Sequence, residues 1–238
     1  MINTIQEFIN EFLKIKEQEW LKTHRSGPTG VGKTLEDLLG IVENNKGEPD
    51  FGEYELKSTR INSKSMLTIF TKSPEPKGSN SVLLNKFGYV VNGKKKLHIT
   101  LDTQKFVDLP NKSNGLKINC FNNKIFIETK NGIIKEIFWE KNILERIIKK
   151  KYLYDNQLVY AKAKSRNLGK NEEFWYTEAY LVKGVNFQGI YSLIKKGILK
   201  IDIRIGTYPD GRTHDHGTGF RIMEKDQDKL FENMEKIV

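Results

Sequence analysis

Residues 49–57 read PDFGEYELK and place two acids and a lysine within nine positions. Asp50 lies five positions before Glu55, and Lys57 lies two positions after Glu55. Polar and apolar residues alternate over 54–57, which predicts a half-buried strand on which Glu55 and Lys57 share one face. Asp50 precedes this strand in a loop and can fold back toward the same face.

These residues supply an all-oxygen donor set with a lysine beside it. The carboxylates of Asp50 and Glu55 and the main-chain carbonyl of Leu56 suit Mg²⁺, which prefers hard ligands and keeps several waters. The ammonium of Lys57 can orient an attacking water and offset the charge that grows on a phosphorane. In the alternative interpretation, Glu55 and Lys57 form an ion pair on a solvated strand and Asp50 is a turn residue.

A third acid, Glu36, precedes this segment. It lies in GKTLEDLLG, residues 32–40, whose leucines predict a short helix that packs on the sheet. From that helix Glu36 can reach the same centre and support a second ion or a bound water. The alternative is a surface acid on a helix.

The same region matches the phosphate-binding pattern G-x-x-x-x-G-K-[ST] over residues 27–34. A working loop of this kind follows a buried strand, whereas the preceding EQEWLKTHRS is charged and holds no apolar strand. The pattern is therefore interpreted as a helix entry, and no nucleotide cofactor is expected. Basic residues around the loop suit nucleic-acid phosphates, although a turn with solvated charges is the alternative.

Composition limits the class of protein further. The 238 residues carry a formal net charge of +10 with a pI near 9.4, which favours a polyanionic partner, or reflects a lysine-rich proteome. The single cysteine, Cys120, excludes a disulfide framework. No apolar run of membrane-spanning length and no signal peptide is present, so a cytoplasmic protein with no membrane partner is expected.

The chain as a whole predicts a mixed α/β fold. Strands are predicted at 97–101, 116–121, 124–129, 133–139, 157–165, 174–183 and 198–206, and helices at 2–20, 140–151 and 186–196. The tail from Glu224 is predicted to be helical. Regular strand–helix alternation is missing. The expected division is a catalytic lobe over 1–150 and a recognition lobe over 151–238.

The order G-x-G-K-T-x-E-D-L-L, then P-D-F, then E-x-K, resembles the active-site segment of the PD-(D/E)XK nucleases related to MutH. It is most similar to the MvaI/BcnI group of type II restriction endonucleases. The resemblance continues through LTIFTKSP (67–74), KIDIRIGTY (200–208) and THDHGTGFRI (213–222). It implies a mixed central sheet flanked by helices, two lobes forming a DNA-binding cleft, and roles in metal binding and catalysis for Asp50, Glu55, Lys57 and Glu36.

The C-terminal block predicts residues that read DNA bases. In ILKIDIRIG, Asp202 and Arg204 lie on the face opposite the isoleucines, and acids mixed with cations suit C·G pairs. The candidate base-reading residues are Asp202, Arg204, Tyr208, Arg212, His214, Asp215, His216 and Arg221. The candidate phosphate-binding residues are Lys22, Arg25, Lys33 and Lys72. The alternatives are a structural Asp202–Arg204 salt bridge and a zinc-binding histidine pair, the latter disfavoured by the few His and Cys residues.

The resemblance also implies an activity. Enzymes with such a block cut short C/G-rich sites such as CCWGG or CCSGG, and this block resembles the MvaI branch more than the BcnI branch, which favours CCWGG. The resemblance further implies Mg²⁺, with Mn²⁺ as a substitute, 5′-phosphate ends, a monomer acting on double-stranded DNA, and a cognate DNA methyltransferase. A MutH-like strand-nicking repair enzyme and a non-catalytic DNA-binding module are the competing hypotheses.

Overall fold

The computed structural model describes residues 2–42, 49–61, 66–110, 112–152, 157–185 and 187–238. The α-helices of these ranges are α1 Ile5–Glu17, α2 Gly30–Leu38, α3 Ser79–Phe87, α4 Lys141–Tyr152 and α5 Phe187–Lys195. The strands up to the middle of the chain are β1 Leu21–Lys22, β2 Tyr54–Arg60, β3 Met66–Thr71, β4 Tyr89–Val91, β5 Lys94–Leu101, β6 Val107–Leu109 and β7 Lys112–Phe121. The later strands are β8 Lys124–Thr129, β9 Gly132–Glu140, β10 Gln157–Arg166, β11 Glu173–Val185, β12 Leu199–Thr207, β13 Thr213–Asp215, β14 Gly219–Met223 and β15 Phe231–Lys236.

The chain divides into two compact units that are discontinuous in sequence. The first contains 1–65, 149–186 and 227–238, and the second contains 66–148 and 187–226. The division thus differs from the expected consecutive lobes 1–150 and 151–238. The physical reason is strand pairing across the sequence, because β2 pairs with the distant β10 and β15 returns to β11.

In the first unit, α1 and α2 pack on a sheet with the strand order β1-β11-β10-β2, and β15 also pairs with β11. Thr4 begins α1 with a capping box, in which Thr4 and Glu7 satisfy each other's backbone N–H groups. Phe8 and Phe12 on α1 join Leu56 and Ala161 of the sheet in one buried cluster. Full burial of each such aromatic side chain contributes about 2–3 kcal/mol, which holds the helix against the sheet.

Strand β2 runs parallel to β10 and carries the PDFGEYELK segment. Leu56 belongs to the apolar cluster under the helices. Since successive side chains alternate, Glu55 and Lys57 lie on the opposite face of the sheet. The predicted strand, and the common face of these two residues, are therefore present.

The second unit contains two sheets. One has the order β3-β14-β12-β5-β4 with β13 paired to β12, and the other has the order β6-β7-β8-β9. The strands predicted in this region are confirmed. Tight turns at Asn122-Asn123 and Asn131-Gly132 connect the antiparallel pairs β7–β8 and β8–β9. In the described ranges no helix is long and apolar enough to cross a membrane.

The prediction of a helix that begins at Glu224 is wrong. A short 3₁₀-helix spans Glu224–Lys229, and the chain then extends as β15. This strand pairs antiparallel with β11, with Phe231 opposite Val185 and Lys236 opposite Tyr180. Backbone pairing with a distant strand overrides the local helix propensity of the tail.

A substitution in the turn that leads into β2 tests how much the close contact between this turn and Asn3, just before α1, contributes to stability. Gly52 has a φ of +51°, and a Cβ at this position would lie 2.1 Å from the carbonyl oxygen of Asn3. We expect Gly52→Ala to lower the free energy of unfolding by roughly 2–4 kcal/mol, measured by chemical denaturation. Gly93→Ala is the matched control, because Gly93 has a φ of +72° with no atom within 4 Å, and it should cost only about 1 kcal/mol. Equal losses in the two variants would show that the contact with Asn3 does not constrain the turn.

Candidate functional site

The carboxylate of Asp50 folds back onto β2. Its Oδ2 accepts a hydrogen bond of 2.7 Å from the backbone N–H of Leu56. The loop is closed beneath it, since the backbone N–H groups of Asp50 and Phe51 both donate to the carbonyl of Tyr54, at 2.9 and 3.1 Å. Asp50 is thereby fixed beside the Glu55–Leu56 peptide.

Glu55 is a buried acid, only 5% exposed, and it pairs with Lys57. The Nζ of Lys57 donates to Oε1 of Glu55 at 2.5 Å, and the lysine side chain keeps a quarter of its surface exposed. A buried carboxylate is costly unless it is paired, and Lys57 provides the partner. The two residues thus meet on the face of β2 that is turned away from α1 and α2.

The donor set of this segment fits a hard divalent cation. Asp50 and Glu55 offer carboxylate oxygens, and the backbone of β2 offers the carbonyl of Leu56, which is the chemistry that Mg²⁺ prefers. Among the described residues, no group of three or more His, Cys, Asp or Glu side chains lies close enough to hold a metal ion. Any ion in this segment would therefore depend on two carboxylates, backbone oxygen and water.

Glu36 lies on α2, near a different part of β2 from Glu55 and Lys57. A Cβ added to Gly32 would lie 3.7 Å from Oε1 of Glu36 and 3.6 Å from Oγ of Ser58. Ser58 shares the helix-facing side of β2 with Leu56, opposite to Glu55 and Lys57. Glu36 does not join Asp50 and Glu55 in a cluster of three acids, because α2 packs on the other face of the strand.

The glycine-rich loop before α2 turns its carbonyl groups, rather than its amides, toward a cation. Arg60 donates to the carbonyls of Gly27 and Pro28, each at 3.0 Å. The same guanidinium makes a bidentate pair with the buried Glu172, at 2.6 and 2.7 Å, and lies over the ring of Phe174. Only the two-residue strand β1 precedes the loop. The buried strand of a nucleotide-binding loop is thus missing from this position, as the sequence indicated.

The predicted phosphate-binding residues are held in different ways. Lys33 pairs with Asp37 at 2.7 Å, and these contacts with Lys33 and then His24 lower the pKa of the Asp37 carboxyl. Lys72 pairs with Glu75 at 2.7 Å. Lys22 and Arg25 are exposed near the start of the loop.

In the second unit, Asp202 is buried at the centre of an ion-pair network. Its Oδ1 accepts from the hydroxyl of Thr100 at 2.9 Å, and its Oδ2 accepts from Arg204 at 2.7 Å. The same Oδ2 forms an ion pair with Arg221, whose Nη1 lies 3.1 Å away. The Asp202 side chain is only 4% exposed, whereas that of Arg204 is 48% exposed. Asp202 therefore holds the two guanidinium groups, and Arg204 presents one of them to solvent.

Rings from two strands and a loop continue this surface. The ring of Tyr208 lies 4.4 Å from that of His214, His214 lies 4.1 Å from His216, and His216 lies 6.0 Å from His98 of β5. We call the surface formed by these four rings with Arg204 and Arg221 the β12 face. The block predicted from the sequence is thus brought together, and His98 is added to it.

Asp215 has a different environment from the neighbouring histidines. Its Oδ2 accepts from Ser73 and Asn80, at 2.5 and 2.6 Å, and its Oδ1 accepts from the backbone N–H of Gly217 at 2.8 Å. These bonds tie β13 to the start of α3 and fix the loop that carries His214 and His216. Arg212 is paired with the exposed Asp210 at 2.7 Å.

Comparisons with known proteins show a family and two solved structures that the chain resembles. A model of the MvaI/BcnI restriction endonuclease family matches residues 9–231. The structure of restriction endonuclease MvaI in complex with its cognate DNA substrate is 30% identical, covers 100% of both chains and has a TM-score of 0.86. The structure of MvaI in the absence of DNA is 30% identical, covers 100% of this chain and 99% of that chain, and has a TM-score of 0.61. No curated protein sequence matches the chain.

The chain belongs to the MvaI/BcnI restriction endonuclease family. Membership confirms the resemblance to this group of nucleases, and the structural match confirms the mixed α and β architecture as a PD-(D/E)XK fold. This family member is accordingly a type II site-specific deoxyribonuclease.

Sequence reasoning missed three residues of this family member. Arg60 and Glu172 are 112 positions apart, so no local pattern signals their pairing. His98 could have been found from LHITL, where it alternates with three buried residues on a predicted strand. A polar ring at an outward position of such a strand is the signal that was available.

The contribution of the ion pairs around Asp202 to the free energy of unfolding can be tested by substitution. We expect Asp202→Asn to lower the free energy of unfolding by roughly 2–4 kcal/mol, because two guanidinium groups lose their buried counter-charge. Arg221 is partly buried, and this burial already lowers the pKa of its guanidinium, so water does not replace the lost negative charge of Asp202. Asp210→Asn is the matched control, since the Asp210–Arg212 pair is exposed and its removal should leave the denaturation midpoint unchanged. Similar midpoints for both variants would contradict the structural role of Asp202.

Proposed function

We propose that this enzyme is a Mg²⁺-dependent endonuclease that cuts both strands of DNA at a short C/G-rich site of the CCWGG type and leaves 5′-phosphate ends. The observation that carries the proposal is the segment Asp50–Lys57, in which Asp50 is bonded to the Leu56 backbone and Glu55 is bonded to Lys57. Two carboxylates and an ammonium on one short segment suit the hydrolysis of a phosphodiester.

The metal would be held by Asp50, Glu55 and the carbonyl of Leu56. When bound, Mg²⁺ supplies Lewis acidity toward the phosphate oxygens and toward a water. Mn²⁺ is expected to substitute, because it also takes oxygen ligands. The hydrogen bond from Leu56 and the ion pair with Lys57 hold both carboxylates in place before any ion arrives, which reduces the entropy cost of ordering them.

Lys57 would act on the scissile phosphate. Its ammonium has three N–H donors, of which one is directed at Oε1 of Glu55, so the others can orient a water or stabilise the charge on the phosphorane. The water oxygen forms a bond to phosphorus as the bond to the 3′ oxygen breaks. The products are a 5′-phosphate and a 3′-hydroxyl.

Base recognition is assigned to the β12 face. Arg204 and Arg221 offer donors suited to guanine O6 and N7, and both are positioned by Asp202. The similar MvaI structure contains its cognate DNA substrate, which supports double-stranded DNA as the substrate here. Resemblance of the HDHGTGF block to the MvaI branch supports CCWGG over CCSGG.

The wider setting follows from the same proposal. The protein would act as a monomer on one strand at a time, in a prokaryotic cytoplasm. A cognate DNA methyltransferase would protect the host's own sites. The formal charge of +10 favours approach to the phosphate backbone, so binding should weaken as salt rises.

Glu55→Gln tests the catalytic assignment. We expect purified wild-type protein with Mg²⁺ to convert unmethylated plasmid to linear fragments, and Glu55→Gln to lower the cleavage rate by at least about 1,000-fold, while binding to the same duplex is kept. Glu53→Gln is the matched control, because Glu53 is an exposed acid in the adjacent turn, and it should cut at the wild-type rate.

The products separate the competing functions. Nicked circles without linear DNA would favour a MutH-like strand-nicking enzyme. DNA binding without turnover in Mg²⁺ or Mn²⁺ would favour a non-catalytic module. Undiminished cutting by Glu55→Gln would remove Glu55 from the reaction.

A further inference from the structure

His98 is the one ring of the β12 face that the C-terminal block does not supply. It lies on β5 between the buried residues Leu97 and Ile99, so its side chain points to the opposite, solvent-exposed side. In the antiparallel pairing of β5 with β12, His98 is directly opposite Arg204. Directly paired residues have side chains about 5 Å apart at Cβ, so both side chains present their ends to the same part of the surface.

The position of His98 is set by more than this pairing. Its ring makes an edge contact with that of His216, with 6.0 Å between centroids and an interplanar angle of 86°. His216 is itself anchored, because its backbone N–H donates to the carbonyl of Arg204 at 2.9 Å. His98 therefore belongs to an ordered surface rather than to a loose end of β5.

Burial and the neighbouring charges favour the neutral imidazole of His98. Partial burial lowers the pKa of the His98 ring, and the neighbouring Lys96, His216 and Arg204 lower it further, while Asp202 partly offsets them. A neutral imidazole carries one N–H donor and one acceptor nitrogen. At neutral pH the ring can thus accept a hydrogen bond in a cationic environment.

His98 places an acceptor directly beside Arg204 on the β12 face. The guanidinium groups of Arg204 and Arg221 only donate. Asp202 is buried, its two oxygens accept hydrogen bonds from Thr100 and Arg204, and it is also paired with Arg221. A C·G pair offers acceptors on guanine and an N4 amino donor on cytosine in the major groove, so reading both bases needs a protein acceptor beside the arginine.

We propose that His98 is a specificity-determining residue. Its imidazole accepts a hydrogen bond from the N4 amino group of a cytosine that lies beside the guanine contacted by Arg204. The inference rests on the proposed cleavage of duplex DNA and adds a residue to its recognition surface. A phosphate contact would instead favour a permanent cation, which the neutral ring is not.

The test compares His98→Ala and His98→Gln with wild type. The preferred site is first obtained by sequencing the ends of wild-type digestion fragments, and kcat/KM is then measured on that site and on duplexes with each base pair substituted in turn. For His98→Ala we expect discrimination at one C·G pair to fall by about 5- to 150-fold, with the other positions unchanged. Since Gln retains an acceptor, His98→Gln should recover part of that discrimination.

Tyr89→Phe is the matched control. The Tyr89 hydroxyl donates to the backbone carbonyl of His98 at 3.3 Å, so its removal perturbs the same strand without touching the ring. This variant should discriminate as wild type does. Melting temperature and affinity for a duplex without the site should be equal in all variants.

The failures are distinguishable. If wild type cuts but His98→Ala discriminates equally at every position, or loses rate uniformly on all duplexes, the role of His98 in reading bases is overturned and the nuclease proposal stands. If wild type leaves every duplex intact, the proposed function fails and the inference fails with it.

Discussion

The candidate active site depends on the hydrogen bond between the carboxylate of Asp50 and the backbone N–H of Leu56. This 2.7 Å contact brings a loop acid onto the strand that carries Glu55 and Lys57, so residues seven positions apart act in one place. Hydrogen bonding to a charged acceptor is stronger than to a neutral one, which suits a contact that must hold before an ion binds. Gly52 permits the turn, because its positive φ and its approach to Asn3 leave no room for a side chain.

The two units use buried acids in different ways. Glu55 is paired with a lysine on its own strand, and the pair belongs to the proposed metal site. Asp202 is paired with Arg204 and Arg221, and it directs cations toward solvent while remaining buried. Glu172 similarly holds Arg60, which in turn binds the carbonyls of the glycine-rich loop. In each case the desolvation cost of a buried carboxylate is offset by cations that acquire a fixed direction.

Local patterns predicted the parts of the fold that depend on neighbouring residues. Residue patterns predicted β2, the strands of the second unit and the outward placement of Arg204, and the family resemblance predicted the nuclease fold. Contacts between distant segments were beyond such patterns: the parallel pairing of β2 with β10, the pairing of the C-terminal tail as β15, and the Arg60–Glu172 pair. The position of Glu36 was also beyond local patterns, because helical spacing does not predict which face of β2 the helix covers.

The central claim is that Asp50 and Glu55 together bind a divalent cation. Titration of the purified protein with Mn²⁺, with free Mn²⁺ measured by electron paramagnetic resonance, tests it without relying on cleavage. We expect wild type to remove Mn²⁺ from solution, and the double variant Asp50→Asn/Glu55→Gln to lose that binding while retaining the wild-type circular dichroism spectrum and melting behaviour. Equal Mn²⁺ binding by the folded double variant would contradict the account.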